Sequence, residues 1–162
     1  MFKIRLSILL LASFFIFSCS ANQNNFFDQK YSLDYIGGGF DGLLLKNYLH
    51  SSLKNLDIYD SRSSYKIKAS ISHNTNIYIT NTDNTSNREK IESSLSYEII
   101  NNLTNCQILI DKINVSQFYI YASADKFLSN QTALTKIKKD NTATLTRQFI
   151  NKIKTIDNTC DE

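Results

Sequence analysis

Two stretches of this chain alternate between apolar and polar residues with a period of two, and that alternation most restricts what it can fold into. In the first, Tyr65, Ile67, Ala69 and Ile71 fall on one side of an extended strand, with Lys66, Lys68, Ser70 and Ser72 on the other. In the second, Ile91, Ser93, Leu95, Tyr97 and Ile99 oppose Glu92, Ser94, Ser96 and Glu98. Taken as antiparallel neighbours, segments 64–80 and 88–100 set Lys66 and Lys68 against Glu98 and its neighbours on the solvent face. Pairs of that kind contribute roughly 0.2–1 kcal/mol each and do not fix a register. Ile77 to Ile79 continues or restarts the first strand. The run Asn81–Arg88, NTDNTSNR, has almost no apolar surface to bury and reads as an exposed hairpin end.

The remaining segments supply a second layer. Lys30 to Ile36 reads as a first strand, with Tyr31, Leu33 and Tyr35 on one face. The GGGFDG that follows lacks the Lys-Ser/Thr pair of a phosphate loop and the glycine spacing of a dinucleotide fingerprint. It is expected to be a strand-to-helix turn with Asp41 as its N-cap. From Gly42 to Leu53, the residues Leu45, Tyr48, Leu49 and Leu53 recur at helical spacing, broadened by Leu43 and Leu44. Leu56 to Arg62 forms the exit loop, with Ile58 a partial anchor. A turn at Asn101–Asn105 precedes another strand, Cys106 to Tyr121, whose phase slips between Ile108/Ile110 and Ile113/Val115. A bulge or bend near Asp111–Lys112 would reconcile the two phases. Last, Leu134, Ile137, Leu145, Phe149, Ile153 and Ile156 follow spacings of three, four or eight residues, with Lys136, Lys138, Lys139, Arg147 and Lys152 between them. That is an amphipathic helix whose basic residues form its wet face. The expected fold is α+β: a two-layer sandwich in which two helices cover a mostly antiparallel or mixed four-stranded sheet, all within residues 30–162.

The N-terminus speaks to location. Lys3 and Arg5 precede an apolar run from Leu6 to Phe17, which ends at Ser18 and Cys19. Such a run is too short and too terminal for an ordinary membrane span and reads as an export signal. Ile16 at −3 suits a lipoprotein box better than ordinary signal cleavage. Residues 1–18 are therefore expected to be a signal peptide, with Cys19 the lipidation site and 19–29 a short tether; a plain anchor helix is the other reading. Phe26 and Phe27 in that tether either dock on the domain or rest at the lipid interface. The formal charge of +3 falls to near +1 once Lys3 and Arg5 are removed. Near balance gives no case for a nucleic-acid partner.

Two cysteines besides Cys19 remain, Cys106 and Cys160. A strand leaving from Cys106 and a long helix returning across the sheet bring the two toward one end. They form a disulfide there in an oxidising compartment, or stay as two buried thiols. His50 and His73 stand apart from acids and cysteines at ligand spacing, so no metal and no cofactor is expected. No HExxH, CxxC or GxSxG motif and no tight His/Asp/Glu cluster occurs, so an enzyme is not expected.

Several local patterns carry a family resemblance. IGGGFDGLLLKNYLHSSL (36–53) resembles the first-strand exit and opening helix of the LPS-assembly lipoprotein family LptE, in its alphaproteobacterial form. Asn87-Arg88 followed by Leu95-Ser96-Tyr97-Glu98-Ile99 resembles its arginine-led strand. Ala133 to Asn141 resembles the start of its terminal helix, with Asn141 a departure from the more usual Asp-Ala. The glycine run is a second departure, since the family more often has a basic residue near the helix entrance. The resemblance implies an outer-membrane lipoprotein facing the periplasm. It would be held in the membrane by acylated Cys19 and paired with the LptD-like β-barrel that inserts lipopolysaccharide. Its role would be that of a plug and assembly aid, with lipopolysaccharide itself a candidate ligand. Lys66, Lys68 and Arg88, with the loop 81–87, are the candidate contacts to barrel or lipid head group. A generic envelope-tethered adaptor for another outer-membrane complex is the alternative.

Overall fold

The computed structural model describes residues 29–79, 87–120 and 126–156. The signal segment, Cys19, the tether up to residue 28, the connection at 80–86 and Cys160 lie outside the described residues. The elements are β1 (Tyr31–Gly37), α1 (Gly39–Asn55), β2 (Tyr65–Ile79), β3 (Asn87–Asn101), β4 (Cys106–Ile120) and α2 (Phe127–Ile153). They build one sheet in the order β1-β2-β3-β4, with β1 parallel to β2 and the other neighbours antiparallel. This is the expected α+β arrangement of a mixed four-stranded sheet and two helices.

The period-two rows decide which face is covered. Ile67, Ala69 and Ile71 of β2 and Leu95, Tyr97 and Ile99 of β3 are buried, and they meet Leu45, Leu49 and Leu53 of α1. From α2, Leu145, Phe149, Ile150 and Ile153 complete the cluster, with the Phe149 ring centred 4.5 Å from that of Tyr97. Each fully buried side chain of this kind contributes about 1.5–3 kcal/mol relative to exposure, before entropy is charged. The even-numbered residues of β2 and β3 face away from the helices, and Lys68 stands directly opposite Glu98.

The exit loop of α1 is more than a partial anchor. Ile58 is 1% exposed, and its carbonyl accepts the Tyr31 N–H at 2.8 Å. Asp60 N–H in turn donates to the Tyr31 carbonyl at 3.0 Å. Tyr59 thereby bridges the outer side of Tyr31, and the start of the β1 edge is covered by the chain's own backbone.

Four local expectations need correction. First, β1 does not keep Tyr31, Leu33 and Tyr35 on one face. Its register to β2 slips between Leu33 and Ile36, so Ile36 returns to the core while Tyr35 is 66% exposed. Second, the irregularity in β4 falls at Ile108 rather than at Asp111–Lys112. Leu109 pairs with Ile99 and Gln107 with Ile100, which leaves Ile108 as the extra residue. That placement holds Leu109, Ile113 and Val115 against the core and turns Ile110 outward. Third, Asp41 does not cap α1. Gly38 occupies the N-cap position without a side-chain hydrogen bond, and Asp41 sits in the first helical turn. Gly38 has φ +115°, and a Cβ there would meet the Ile71 carbonyl oxygen at 2.6 Å. Only glycine fits that turn. Fourth, α2 begins at Phe127, two turns before the first residue of its apolar stripe, Leu134.

Candidate functional site

Tyr35 and Ile110, the residues turned outward by the two strand irregularities, stand at opposite ends of a trough across the open face of the sheet. Its volume is about 570 Å3. Ser70 of β2 and Ser96 of β3, paired directly in the ladder, form a floor of small hydroxyl side chains. Lys68, Glu98 and Lys112 supply the charged rim. The Tyr35 ring lies over the end of its own strand: a Cβ on Gly37 would stand 3.1 Å from that ring and 3.2 Å from Ser70 Cβ. Any side chain at 37 therefore has to displace the wall of the trough.

Lys68 is the sequence-predicted contact that this trough contains. Its ammonium lies 3.8 Å from Glu98 Oε2, with both side chains partly exposed, so the pair is weak and either partner can turn to a ligand. Lys66 is on the same open face one pleat away, opposite Ile100. Arg88 is not in this group. It pairs with Tyr78 and Ile120 at the other end of β3, ten residues from Glu98, or about 33 Å along the strand. Of the loop 81–87, only the backbone of Asn87, at the start of β3, belongs to a described element.

A second polar grouping lies inside the core. Asn141 of α2 donates through Nδ2 to Ser93 Oγ at 2.9 Å, and Ser93 Oγ lies 2.6 Å from His73 Nδ1. Ser93 Oγ thus accepts from Asn141 on one side and shares a hydrogen bond with His73 Nδ1 on the other, whose direction follows the imidazole tautomer. The other ring nitrogen, Nε2, lies 3.9 Å from Asp41 Oδ2. Burial lowers the His73 pKa below its ordinary value; Asp41 opposes this and Lys138 adds to it. An Asp-His-Ser set invites a catalytic reading, but Ser93 is 0% exposed and sits between sheet and helix. A substrate carbonyl has no route to its oxygen. The grouping ties α2 to β2 and β3, and its Asn141 Oδ1 and His73 Nε2 have no hydrogen-bond partner among the described residues.

A third set of contacts places the end of α2. Tyr97 donates to Asp111 Oδ2 at 3.2 Å, and Lys152 Nζ lies 3.8 Å from the same oxygen. Burial first, then the Asp111 charge and this hydrogen bond, push the Tyr97 pKa up to about 12. The last turn of α2 thus stands over β4 five residues from Cys106. Cys106 is disulfide-bonded, and its partner cysteine lies outside the described residues. Among the described residues no group of three metal-ligating side chains occurs.

This sheet with its two helices recurs in solved structures. The minor lipoprotein from Acinetobacter baumannii is 15% identical and superimposes with a TM-score of 0.58, over 78% of this chain and 90% of that one. The rare lipoprotein B from Shewanella oneidensis is 8% identical with a TM-score of 0.62, over 77% of this chain and 93% of that one. The likeness is one of fold. No known family model matches the sequence, and no curated protein does.

Sequence reasoning found Lys68 but missed the trough around it. Nothing in the residue pattern marks Tyr35 as outward-facing, because it sits in phase with Tyr31 and Leu33; Ile110 alternates with Leu109, Ile113 and Val115, and only its match to the bulged Ile108 masks its outward position. The signal for the buried grouping was present. Ser93 interrupts an apolar strand row, and Asn141 fills the eight-residue gap between Ile137 and Leu145 in the helical stripe.

Proposed function

We propose that this chain is an outer-membrane lipoprotein, anchored through acylated Cys19 on the periplasmic side, and that it has no catalytic role. Its partner in this reading is the LptD-like β-barrel that inserts lipopolysaccharide, which it assists as a plug and assembly aid. The observation that carries the reading is the open sheet face. A four-stranded sheet whose two described helices both lie on one side presents a shaped trough on the other with Lys68 on its rim, and the only serine-histidine-aspartate grouping among the described residues is sealed in the core. Recognition suits such a surface better than turnover. The shared fold of two bacterial lipoproteins and the signal ending at Cys19 support the membrane tether. Several acyl chains give durable anchoring where one gives marginal binding.

Reversing Lys66 and Lys68 together to glutamate tests the contact. The reading expects reduced co-purification of the barrel and reduced lipopolysaccharide export, with the domain still folded because both side chains lie on the open face. Unchanged yield and export would remove the open face from the interface. Recovery of a different outer-membrane complex with the unaltered chain would favour the generic tethered adaptor.

A further inference from the structure

We infer that the helix layer carries a docking groove for the chain's own tether, and that Phe26 and Phe27 fill it. The groove runs between the C-terminal halves of α1 and α2, on the side of the domain away from the trough. Its volume is about 410 Å3. Tyr48 of α1, its C-cap Leu56, and Ala143 and Ile150 of α2 give it largely apolar walls. Arg147 and Lys154, both exposed, stand at its rim. Among the described residues no carboxylate pairs with either cation, and Arg147 reaches Thr144 Oγ1 only at 3.5 Å. An apolar cleft with a cationic rim suits an apolar segment that carries an acid beside it.

The occupant follows from where the chain enters the domain. Residues 19–28 lie outside the described residues, which begin at Gln29. Tyr31 N–H donates to the Ile58 carbonyl at 2.8 Å, so the entry stands beside the end of α1. Leu56, which opens the groove, is two residues from Ile58, within about 7 Å. Phe27 is four residues before Tyr31 and Phe26 is five, which gives them a reach of about 14 and 17 Å. Both rings can therefore pass Leu56 and enter the cleft. The preceding stretch 20–25, SANQNN, has no large apolar side chain. Asp28, next to the pair, brings the carboxylate that would face Arg147 and Lys154. The segment after α2, residues 157–162, reads DNTCDE and has no aromatic or branched apolar side chain to offer. Docking leaves seven residue steps from Cys19 to Phe26, about 25 Å at full stretch. With Cys19 acylated, the helix layer is held within that distance of the anchor while the open sheet face stays available to a partner. The docking itself requires neither acylation nor the barrel, so its test stands apart from theirs.

A photoreactive benzoylphenylalanine in place of Tyr48, in the full-length chain purified from its own membrane, tests the contact. Irradiation is expected to join position 48 to a peptide containing residues 26–28, in a product of monomer mass, located by mass spectrometry after digestion. Phe26→Ser with Phe27→Ser should abolish that adduct. Arg147→Asp should weaken it, and Asp28→Arg in the same chain should restore it, an exchange that apolar contact alone would not follow. In a second measurement, Ala143→Cys should react faster with a maleimide once both phenylalanines are serine than while they are in place. Thermal melts confirm that each variant is folded. No adduct to 26–28, an adduct instead to residues 157–162, to lipid or to another protein, an adduct that survives the serine changes, or equal thiol rates would each overturn the inference.

Discussion

Asn141 Nδ2 donates to Ser93 Oγ at 2.9 Å, so a polar contact stands where the apolar stripe of α2 meets the apolar row of β3. Ser93 also serves His73, which makes one buried hydroxyl the joint between β2, β3 and α2. Removing a shared partner is costlier than removing a terminal one, because two groups are then left without it inside the core.

Ser93→Ala is expected to cost about 1–3 kcal/mol of stability, the usual range for stranding a buried polar group. Chemical denaturation measures it directly. A double-mutant cycle with Asn141→Ala should give a non-additive pair, since the two changes delete the same contact.

The pH dependence has a definite sign. Burial holds the folded His73 pKa below the ordinary value of 6.5. Between those two values the unfolded chain binds the extra proton and the folded chain does not. The stabilising contribution is therefore complete above the unfolded value and is lost as pH falls from there through the folded one. Denaturation midpoints at several pH values should drop on mild acidification, and His73→Gln should flatten that part of the slope.

At the other extreme, Tyr97 keeps its proton up to about 12 in the folded protein. Unfolded tyrosine ionises near 10, so alkaline pH favours the unfolded chain over that interval. Tyr97→Phe should lose less stability than the unaltered protein as pH rises through it, read from the same denaturation curves.

Cys106 is expected to pair with Cys160. Lys152 at the end of α2 already stands beside Asp111, and the eight residues from Lys152 to Cys160 suffice to reach the start of β4. Cys160→Ser should free the Cys106 thiol for maleimide labelling and cost about 2–4 kcal/mol. A Cys106 that stays blocked in that variant would point to another partner.

Much of the fold could be read directly because the period-two rows of β2 and β3 and the stripes of both helices follow burial closely. Lys68 opposite Glu98 came from the same rows. What the rows could not show is where a strand gains a residue. Tyr35 shares phase with Tyr31 and Leu33 in sequence, and the extra residue in β1 sends it to the open face; Ile110 shares phase with Ile108, and the extra residue there leaves Ile110 opposite in face to Leu109, Ile113 and Val115. The observed bulge keeps Leu109 on the core; a bulge nearer Asp111 would turn Leu109 outward and Ile110 inward, an exchange the alternation alone does not distinguish. Arg88 shows the complementary limit, since sharing a face with Lys68 says nothing about a separation of ten residues along the strand.

The most direct measurement is photocrosslinking in cells from a probe at Ser96, the exposed floor of the trough. The account predicts an adduct with the β-barrel that inserts lipopolysaccharide, reduced when Lys66 and Lys68 are reversed to glutamate. An adduct confined to some other envelope assembly, or none with the barrel while the chain is correctly tethered, would contradict it.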